Sequence, residues 1–282
     1  MIQKGEEIFN LKPLRMYAFR LKLTDSYLRG ELPEPASRDF ILWLHREFYT
    51  DAPKEMLHIK SVNSAFIMVP REWRSSEELV VSVGRHIPPS SGFVNKFMAY
   101  FEKRFTFEPM GQAARILALA TGHHHRFNYI HPFPDGNGRV SRLMSHSMAA
   151  RAGIGAHGLW SISRGLARGL ESRTDYKRMM DLADAPRQGD LDGCGNLSLK
   201  ALTEFTVWFL KVSLDQIDFM SELFDLDNLN GHLKRLVERS DTLKPEAFLL
   251  EEALVRGEFE RGAAPRITGL SERTARRVLS DV

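Results

Sequence analysis

Apolar residues recur three and four positions apart along most of the chain, which is the period of an amphipathic helix. Residues 38–49 carry one such stripe, formed by Phe40, Ile41, Leu44 and Phe48. Residues 93–105 carry another, and the same period predicts helices over residues 109–128, over residues 139–153 and from residue 198 onward. The pattern therefore predicts an all-α fold class.

One stretch departs from the helical period. Residues 79–89 read LVVSVGRHIPP, so β-branched residues precede a turn at Gly84 and two prolines follow it. β-Branched residues favour strands, and proline interrupts them. The stretch predicts a short β-hairpin within the helical fold.

The sequence HPFPDGNGRVSR, residues 131–142, begins with the loop that separates two of these predicted helices. Its small residues can turn backbone N–H groups toward an anion, and the helix N-terminus that follows adds partial positive charge. Arg139 and Arg142 lie three residues apart on one helix face, and their guanidinium groups suit phosphate oxygens. The loop therefore predicts a phosphate cradle in which a triphosphate contacts both arginines.

Two more side chains of the loop suggest a reaction at this cradle. Asp135 stands beside it, and Mg²⁺ commonly reaches nucleotide phosphates through one protein carboxylate. His131 can remove a proton from an incoming hydroxyl at neutral pH, because the unperturbed pKa of histidine is about 6.5. Together these residues predict nucleotide transfer.

The stretch HPFPDGNGRVSR resembles the complete active-site motif of Fic-domain proteins, HxFx(D/E)GNGRxxR. Residues from about Glu72 to about Asp225 are similar to the Fic helical core and its flanks. The resemblance implies an enzyme, a protein adenylyltransferase. Such an enzyme transfers AMP from ATP to a Tyr, Thr or Ser hydroxyl of a target protein and releases pyrophosphate.

The resemblance also implies roles for individual residues. His131 would be the general base, and Asp135 would hold Mg²⁺. The nucleotide would be bound by Gly136, Asn137, Gly138, Arg139 and Arg142. The hairpin would be the family's flap, which docks the target segment by strand addition, and its docking residues would be Val80, Val81, Val83 and Ile87.

Other activities of the same site stay open. Removal of AMP from a modified target would use the same residues with water as the acceptor. Family variants that use other substrates or transfer phosphate have altered loops, whereas every motif position is intact here.

The regulation of the site is a separate question. Many Fic proteins carry an inhibitory (S/T)xxxE(G/N) helix whose glutamate pairs with the second motif arginine, here Arg142. No glutamate of this chain precedes Gly or Asn, and the nearest similar stretch, DSYLRG at residues 25–30, has Arg29 in place of the acid. Inhibition would then require another segment, an inhibitory partner or a homodimer; otherwise this route does not regulate the chain.

The C-terminal sequence LSERTARRVLSDV predicts a helix capped by Ser271. Its apolar residues face inward, and its outward residues include the candidate DNA contacts Arg273, Arg276 and Arg277, as in a helix-turn-helix or winged-helix module. Pro265 counts against that module, because proline disrupts a helix interior. A helical appendage for dimerisation or regulation is the alternative. A DNA-binding regulator whose core senses nucleotide is a second hypothesis for the whole chain.

Neither the histidine run nor the cysteine predicts a further site. The three consecutive histidines at residues 123–125 fan out around a helix and cannot converge on a metal, so they predict packing or surface residues. Cys194 is the single cysteine, which excludes an internal disulfide framework and predicts an inert loop thiol.

Length and charge set the domain organisation and the compartment. The 282 residues predict an N-terminal helical segment over residues 1–70, a Fic core over residues 71–225 and a helical HTH-like domain over residues 226–282. The net charge of +3 permits nucleotide or nucleic-acid partners without requiring them. The N-terminus lacks an apolar signal region, so a soluble protein of the cytoplasm without a membrane partner is expected. The target protein and the modified residue leave no trace in the sequence.

Overall fold

Helices make up most of this computed structural model, which describes residues 2–60, 65–76, 86–158, 160–223, 225–239 and 247–281. The all-α prediction is confirmed. The chain divides into two compact units, residues 1–216 and residues 217–282. The three-way division predicted from the sequence stays a prediction.

The first unit contains ten helices within the described ranges. They are α1 (Ile2–Leu28), α2 (Arg38–Tyr49), α3 (Lys54–Leu57), α4 (Val94–Phe105), α5 (Gln112–Ala118), α6 (Phe127–Ile130), α7 (Asn137–Arg151), α8 (Ile162–Arg168), α9 (Asp175–Ala183) and α10 (Leu199–Leu223), the last of which continues into the second unit. Short 3₁₀ turns lie at Ser91–Phe93 and Ala156–Gly158.

Helix α7 lies at the centre of the first unit and contacts α1, α2, α6 and α8. Its interior side chains are apolar or small, and they include Val140, Leu143, Met144, Ser147 and Met148, all buried. Serines and alanines on the remaining faces let neighbouring helices approach closely, so α7 is enclosed on most sides. The motif loop therefore leads into the most buried helix of the unit.

The helix before the motif loop changes its winding. Between α5 and α6, residues Leu119–Arg126 form π-helical turns. Leu117 lies just before these turns and is 49% exposed, because the wider turns rotate the later residues relative to a regular helix. The helix begins at Gln112 and not at Pro109, and Pro109 lies in the preceding turn.

A two-stranded antiparallel sheet lies within the segment that the sequence predicted to be helical. Strand β1 (His58–Lys60) pairs with β2 (Ala65–Ile67), with His58 opposite Ile67. The hairpin predicted at residues 79–89 lies largely outside the described residues. Of its proposed docking residues, Val80, Val81 and Val83 are outside the described ranges, and Ile87 is highly exposed.

The second unit consists of α11 (Leu226–Arg239), α12 (Ala247–Arg256), a 3₁₀ turn at Arg261–Ala263, α13 (Ala264–Thr268) and α14 (Glu272–Asp281). Leu249, Ala264, Ala275 and Val278 form its buried cluster. Pro265 lies in the first turn of α13, where its lack of an N–H costs nothing, so the sequence argument against a helix-turn-helix fails. Ser271 caps α14 by accepting a hydrogen bond from the Thr274 N–H, as predicted.

No helix in the described part of the chain has the length and apolar character that crossing a bilayer requires.

The π-helical turns predict an effect of one substitution on stability. A Cβ at Gly122 would lie 2.0 Å from the Phe105 ring. We therefore expect Gly122→Ala to lower the free energy of unfolding by about 1–3 kcal/mol through overpacking. All four tryptophans lie in residues 1–216, so tryptophan fluorescence in urea reports on the first unit. Gly111→Ala, where the new Cβ meets no atom within 4 Å, is the control, and an equal loss in both variants would contradict the packing argument.

Candidate functional site

A cavity of about 410 Å³ opens at the motif loop, between the N-terminus of α7 and one face of α9. All seven site residues predicted from the motif line it: His131, Asp135, Gly136, Asn137, Gly138, Arg139 and Arg142. The structure thus brings these residues together in one cavity. The arginines Arg273, Arg276 and Arg277 are exposed on α14 of the second unit.

Two left-handed residues shape the motif loop. His131 ends α6 with φ 49° and ψ 58°, and Gly136 precedes α7 with φ 87°. A Cβ on Gly136 would lie 3.0 Å from the Tyr49 hydroxyl, so both conformation and space require glycine. The tight turn leaves the N-terminus of α7 without a side-chain cap, and its first N–H groups point toward the cavity end of the helix.

Asn137 closes the loop on itself. Its side-chain oxygen accepts a hydrogen bond from the Phe133 N–H at 2.9 Å, and its amide nitrogen donates to the Phe133 carbonyl at 2.7 Å. The side chain is buried, so it braces the loop and leaves only its backbone for a ligand. The contribution of Asn137 to the cradle is therefore positional.

His45 of helix α2 packs against the motif loop, and the sequence analysis missed this residue. The His45 ring stacks on buried Phe133 with centroids 3.9 Å apart. His45 Nε2 donates to the Asp135 carbonyl at 3.1 Å, and Nδ1 accepts from the Arg71 N–H at 3.0 Å. These bonds require a neutral ring, and burial lowers the pKa of His45 to about 4. A buried polar residue on the core face of α2 was the available signal.

The ring of His131 is held in one tautomer. Its Nδ1 lies 3.3 Å from the Asn128 carbonyl oxygen, so Nδ1 carries the proton and Nε2 keeps its lone pair. Burial, followed by the charge of His86, lowers the pKa of His131 to about 4. The ring is therefore neutral at physiological pH and able to accept a proton at Nε2.

Asp135 and Arg139 are already engaged with each other. The Tyr49 hydroxyl donates to Asp135 Oδ2 at 2.9 Å, and Arg139 Nη2 contacts both the same carboxylate oxygen and the Tyr49 oxygen. Burial opposes the charge of Arg139, but Tyr49 and Asp135 together raise its pKa. Arg139 is thus part of an ion pair at the edge of the cavity.

Arg142 has a different environment. Among the described residues its guanidinium has neither an ion pair nor a hydrogen bond. Burial has the largest effect on Arg142 and lowers its pKa. Tyr176 raises this pKa, and the charge of Arg139 lowers it further. A desolvated cation without a counter-ion is costly, so this position favours an anionic ligand.

The remaining wall comes from residues that motif reasoning did not identify. Helix α9 contributes Tyr176, Lys177, Met180 and Asp181, and Asp184 follows it. Asp184 accepts hydrogen bonds from His86 Nδ1 and from His125 Nε2, each at 2.8 Å. His125 is therefore a buried packing residue, as the sequence analysis favoured, and it serves as a donor to Asp184. His86 and Asp184 are 98 residues apart, so no local spacing pointed to the pair.

The buried histidines predict acid sensitivity of the first unit. Burial lowers the pKa of His45, His131 and His146 to about 4, below the unfolded value of 6.5. The unfolded chain therefore binds more protons between these values, and the free energy of unfolding falls as the pH drops from 6.5 to 4, by up to about 3 kcal/mol per residue.

Urea unfolding followed by tryptophan fluorescence across this pH range measures the effect. His146→Gln should flatten the pH dependence, and His232→Gln, an exposed histidine of the second unit, should leave it unchanged. A His146→Gln profile as steep as that of the unmodified protein would contradict the assignment.

Comparison with known proteins shows that the sequence around this site is similar to a known family. Residues 35–149 match the Fic/DOC family. The chain is 39% identical over 88 residues to "Protein adenylyltransferase Fic" of Aedes aegypti, an alignment that covers 29% of this chain and 16% of that protein. It is 40% identical over 73 residues to the protein of the same name from Drosophila melanogaster, covering 26% of this chain and 15% of that protein.

A solved structure is also similar. It is a Fic domain containing signaling protein from Bacteroides thetaiotaomicron, with a TM-score of 0.48 and 16% identity over 73% of this chain and 70% of that chain. The matched region spans about one sixth of the length of the two curated relatives. The resemblance of the motif is nevertheless confirmed, because residues 35–149, which match the Fic/DOC family, include it.

Proposed function

We propose that the protein is an adenylyltransferase that moves AMP from ATP to a Tyr, Thr or Ser hydroxyl of a target protein. The observation that carries this proposal is the guanidinium of Arg142, which has no ion pair or hydrogen bond within the described ranges. It shares one cavity with the neutral ring of His131 and the uncapped N-terminus of α7. An anion-binding end beside a proton acceptor suits transfer of a phosphorus group to a hydroxyl. The names of the curated relatives support the same reaction.

The proposed step uses the residues as the cavity presents them. His131 Nε2 accepts the proton of the target hydroxyl, and the hydroxyl oxygen attacks the α-phosphorus of ATP. The bond from the α-phosphorus to the bridging oxygen breaks, and pyrophosphate leaves with the electron pair. Arg142 and the backbone N–H of Gly138 stabilise the negative charge on the phosphates. With water in place of the target hydroxyl, the same residues would remove AMP from a modified protein.

The donor set fits Mg²⁺ that arrives with the nucleotide. Within the described residues no group of three or more His, Cys, Asp and Glu side chains could hold a metal, so a resident metal is not expected there. Asp135, Asp181 and Asp184 line the cavity, and Asp135 is the one that belongs to the motif loop beside the cradle. Mg²⁺ takes phosphate oxygens, waters and one or two protein carboxylates, which is the set available here. When bound, Mg²⁺ would neutralise phosphate charge, and Asp135 would hold it.

Target docking and inhibition are proposed from the sequence resemblance alone. The segment that contains Val80, Val81, Val83 and Ile87 would bind the target by strand addition. An inhibitory partner or a second copy of the chain would supply a carboxylate to Arg142. Because Arg142 has no ion pair in the part of the chain that the structure describes, it could bind such an acid or the phosphates.

Labelled ATP distinguishes AMP transfer from phosphate transfer. In lysate with Mg²⁺ we expect the α-phosphate label to appear on protein and the γ-phosphate label not to appear. His131→Ala should reduce the labelling by at least about 100-fold, because it removes the general base. His232→Ala, which removes an exposed histidine far along the chain, should label as the unmodified protein does.

Each alternative result has a specific meaning. Protein labelled from the γ position would mean phosphate transfer and would contradict the proposal. Labelling that survives in His131→Ala would remove the proposed role of that residue.

A second candidate function, binding of duplex DNA, is favoured by the geometry of the second unit. Helices α13 and α14 are joined by a short turn in which Gly269 has φ 69°. Ala275 and Val278 are buried, whereas Arg273 and Arg277 project from the opposite side of α14. Residues 261–282 contain five arginines and two acids, so this end of the unit is basic. Helix-turn-helix units present such a helix to the major groove.

Fluorescence anisotropy with a short labelled duplex tests the DNA hypothesis. We expect binding at low salt, with the double variant Arg273→Ala/Arg277→Ala weaker by at least about 10-fold and with a salt slope reduced by about two. The double variant Arg235→Ala/Arg239→Ala removes two exposed arginines of α11 and is the matched control. Absence of binding at low salt, or equal weakening in both variants, would exclude the hypothesis.

A further inference from the structure

Five consecutive backbone carbonyls surround the proposed general base, and each accepts a hydrogen bond from outside the helix. The carbonyl of Asn128 accepts from the His131 ring, and the carbonyl of Tyr129 accepts from His86 Nε2 at 3.0 Å. The next three carbonyls, those of residues 130, 131 and 132, accept from Arg74. The end of a helix leaves such carbonyls without intrahelical partners. Here the side chains of Arg74 and His86 and the backbone N–H of Arg74 donate hydrogen bonds to four of the five.

Arg74 is the first of these side chains. It is 1% exposed, and its Nε donates to the His131 carbonyl at 2.8 Å. Its Nη2 donates to the carbonyls of Ile130 and Pro89, and its backbone N–H donates to the Pro132 carbonyl at 2.8 Å. A buried guanidinium that donates to several carbonyls matches the partial negative charge at a helix C-terminus. Arg74 therefore fixes the peptide units on both sides of the His131 Cα.

His86 is the second side chain, and its two ring nitrogens determine its charge. Nε2 faces the Tyr129 carbonyl oxygen, and Nδ1 faces the Asp184 carboxylate. Both partners accept hydrogen bonds, so both ring nitrogens must carry protons. Burial opposes ionisation of Asp184, but hydrogen bonds from His125 and His86 lower its pKa to about 2, so it is a carboxylate. His86 is thus an imidazolium paired with Asp184.

The neighbours of His86 are consistent with one positive charge. His125 donates from Nε2 to the other Asp184 oxygen, and its Nδ1 accepts from Arg126, so the His125 ring is neutral. The His131 ring lies 6.2 Å from the His86 ring and is neutral as well. Arg74 is the remaining cation bound to this turn. Among the described residues, Asp184 is the one carboxylate that binds His86.

We propose that Arg74 and His86 form a cationic clamp on the carbonyls of residues 129–132, which holds His131 in its left-handed conformation for catalysis. Asp184 keeps His86 protonated and anchors it to the wall formed by α9. Arg74 and His86 are positioning residues, because both side chains bind the backbone next to His131, although His86 also lines the cavity. This inference rests on the proposed adenylyl transfer, but the charge of His86 can be measured without it.

Nitrogen-15 NMR of histidine-labelled protein tests the charge directly. At neutral pH the His86 ring should show two protonated nitrogens, and His131 should show the Nδ1–H tautomer. Asp184→Asn should make His86 neutral, because an asparagine amide can donate to Nδ1. Asp190→Asn removes an exposed acid from the following loop and should leave His86 charged. A neutral His86 in the unmodified protein would overturn the clamp.

Single-turnover AMP transfer tests the positioning role. His86→Ala should slow transfer by about 10- to 100-fold, as expected for misplacement of a reacting group, with ATP affinity changed by less than about threefold. Arg74→Lys should act in the same direction if thermal unfolding shows that it folds. Arg142→Ala should instead weaken ATP binding.

Transfer by His86→Ala at the unmodified rate would contradict the proposal. Absence of transfer in the unmodified protein would contradict the adenylyltransferase function and leave the NMR result to decide the clamp.

Discussion

The reversal of the chain between α6 and α7 is the constraint on which the site depends. Six residues must end one helix, turn and begin the next while the second helix enters the centre of the unit. The paired hydrogen bonds between Asn137 and the backbone of Phe133 close this turn, and Phe133 itself is buried against His45. Because backbone polar groups buried in a turn must find partners, loss of either brace would expose unsatisfied groups beside the cavity. The positions of His131 and of the cradle follow from this closure.

The two motif arginines differ because of what their neighbours supply. Arg139 lies one turn after Asp135 and next to the hydroxyl of Tyr49, so its charge is compensated within the protein. Arg142 faces the cavity beside the aromatic ring of Tyr176, whose hydroxyl stays neutral because burial raises its pKa to about 12. Residues that look equivalent in the motif thus have distinct electrostatic roles. A ligand that enters the cavity meets Arg142, which has no ion pair among the described residues, and Arg139, which is paired with Asp135.

Local pattern predicted the parts of the fold that local chemistry determines. The bounds of α2 match the apolar stripe, and the motif loop lies between two helices as its glycines indicated. The π-helical turns were missed because a change of period within one helix leaves no break in the apolar pattern. The strands β1 and β2 were missed because each has only three residues.

The carboxylate Asp184 and its partners could not be predicted for a different reason. Their contacts join segments far apart in the chain, and the residues look like ordinary surface polar residues in sequence. The seven motif residues do share one cavity, yet their individual roles remain predictions.

The left-handed conformation of His131 has a consequence for the whole protein. A non-glycine residue in this region is strained, at a cost of about 1–3 kcal/mol. Glycine at this position would relieve the strain and would give a more stable protein without a base. Folding alone would therefore select against histidine here. The proposed role as general base would explain why the first unit keeps a strained histidine in its motif loop, and the stability of the unit must be large enough to tolerate that strain.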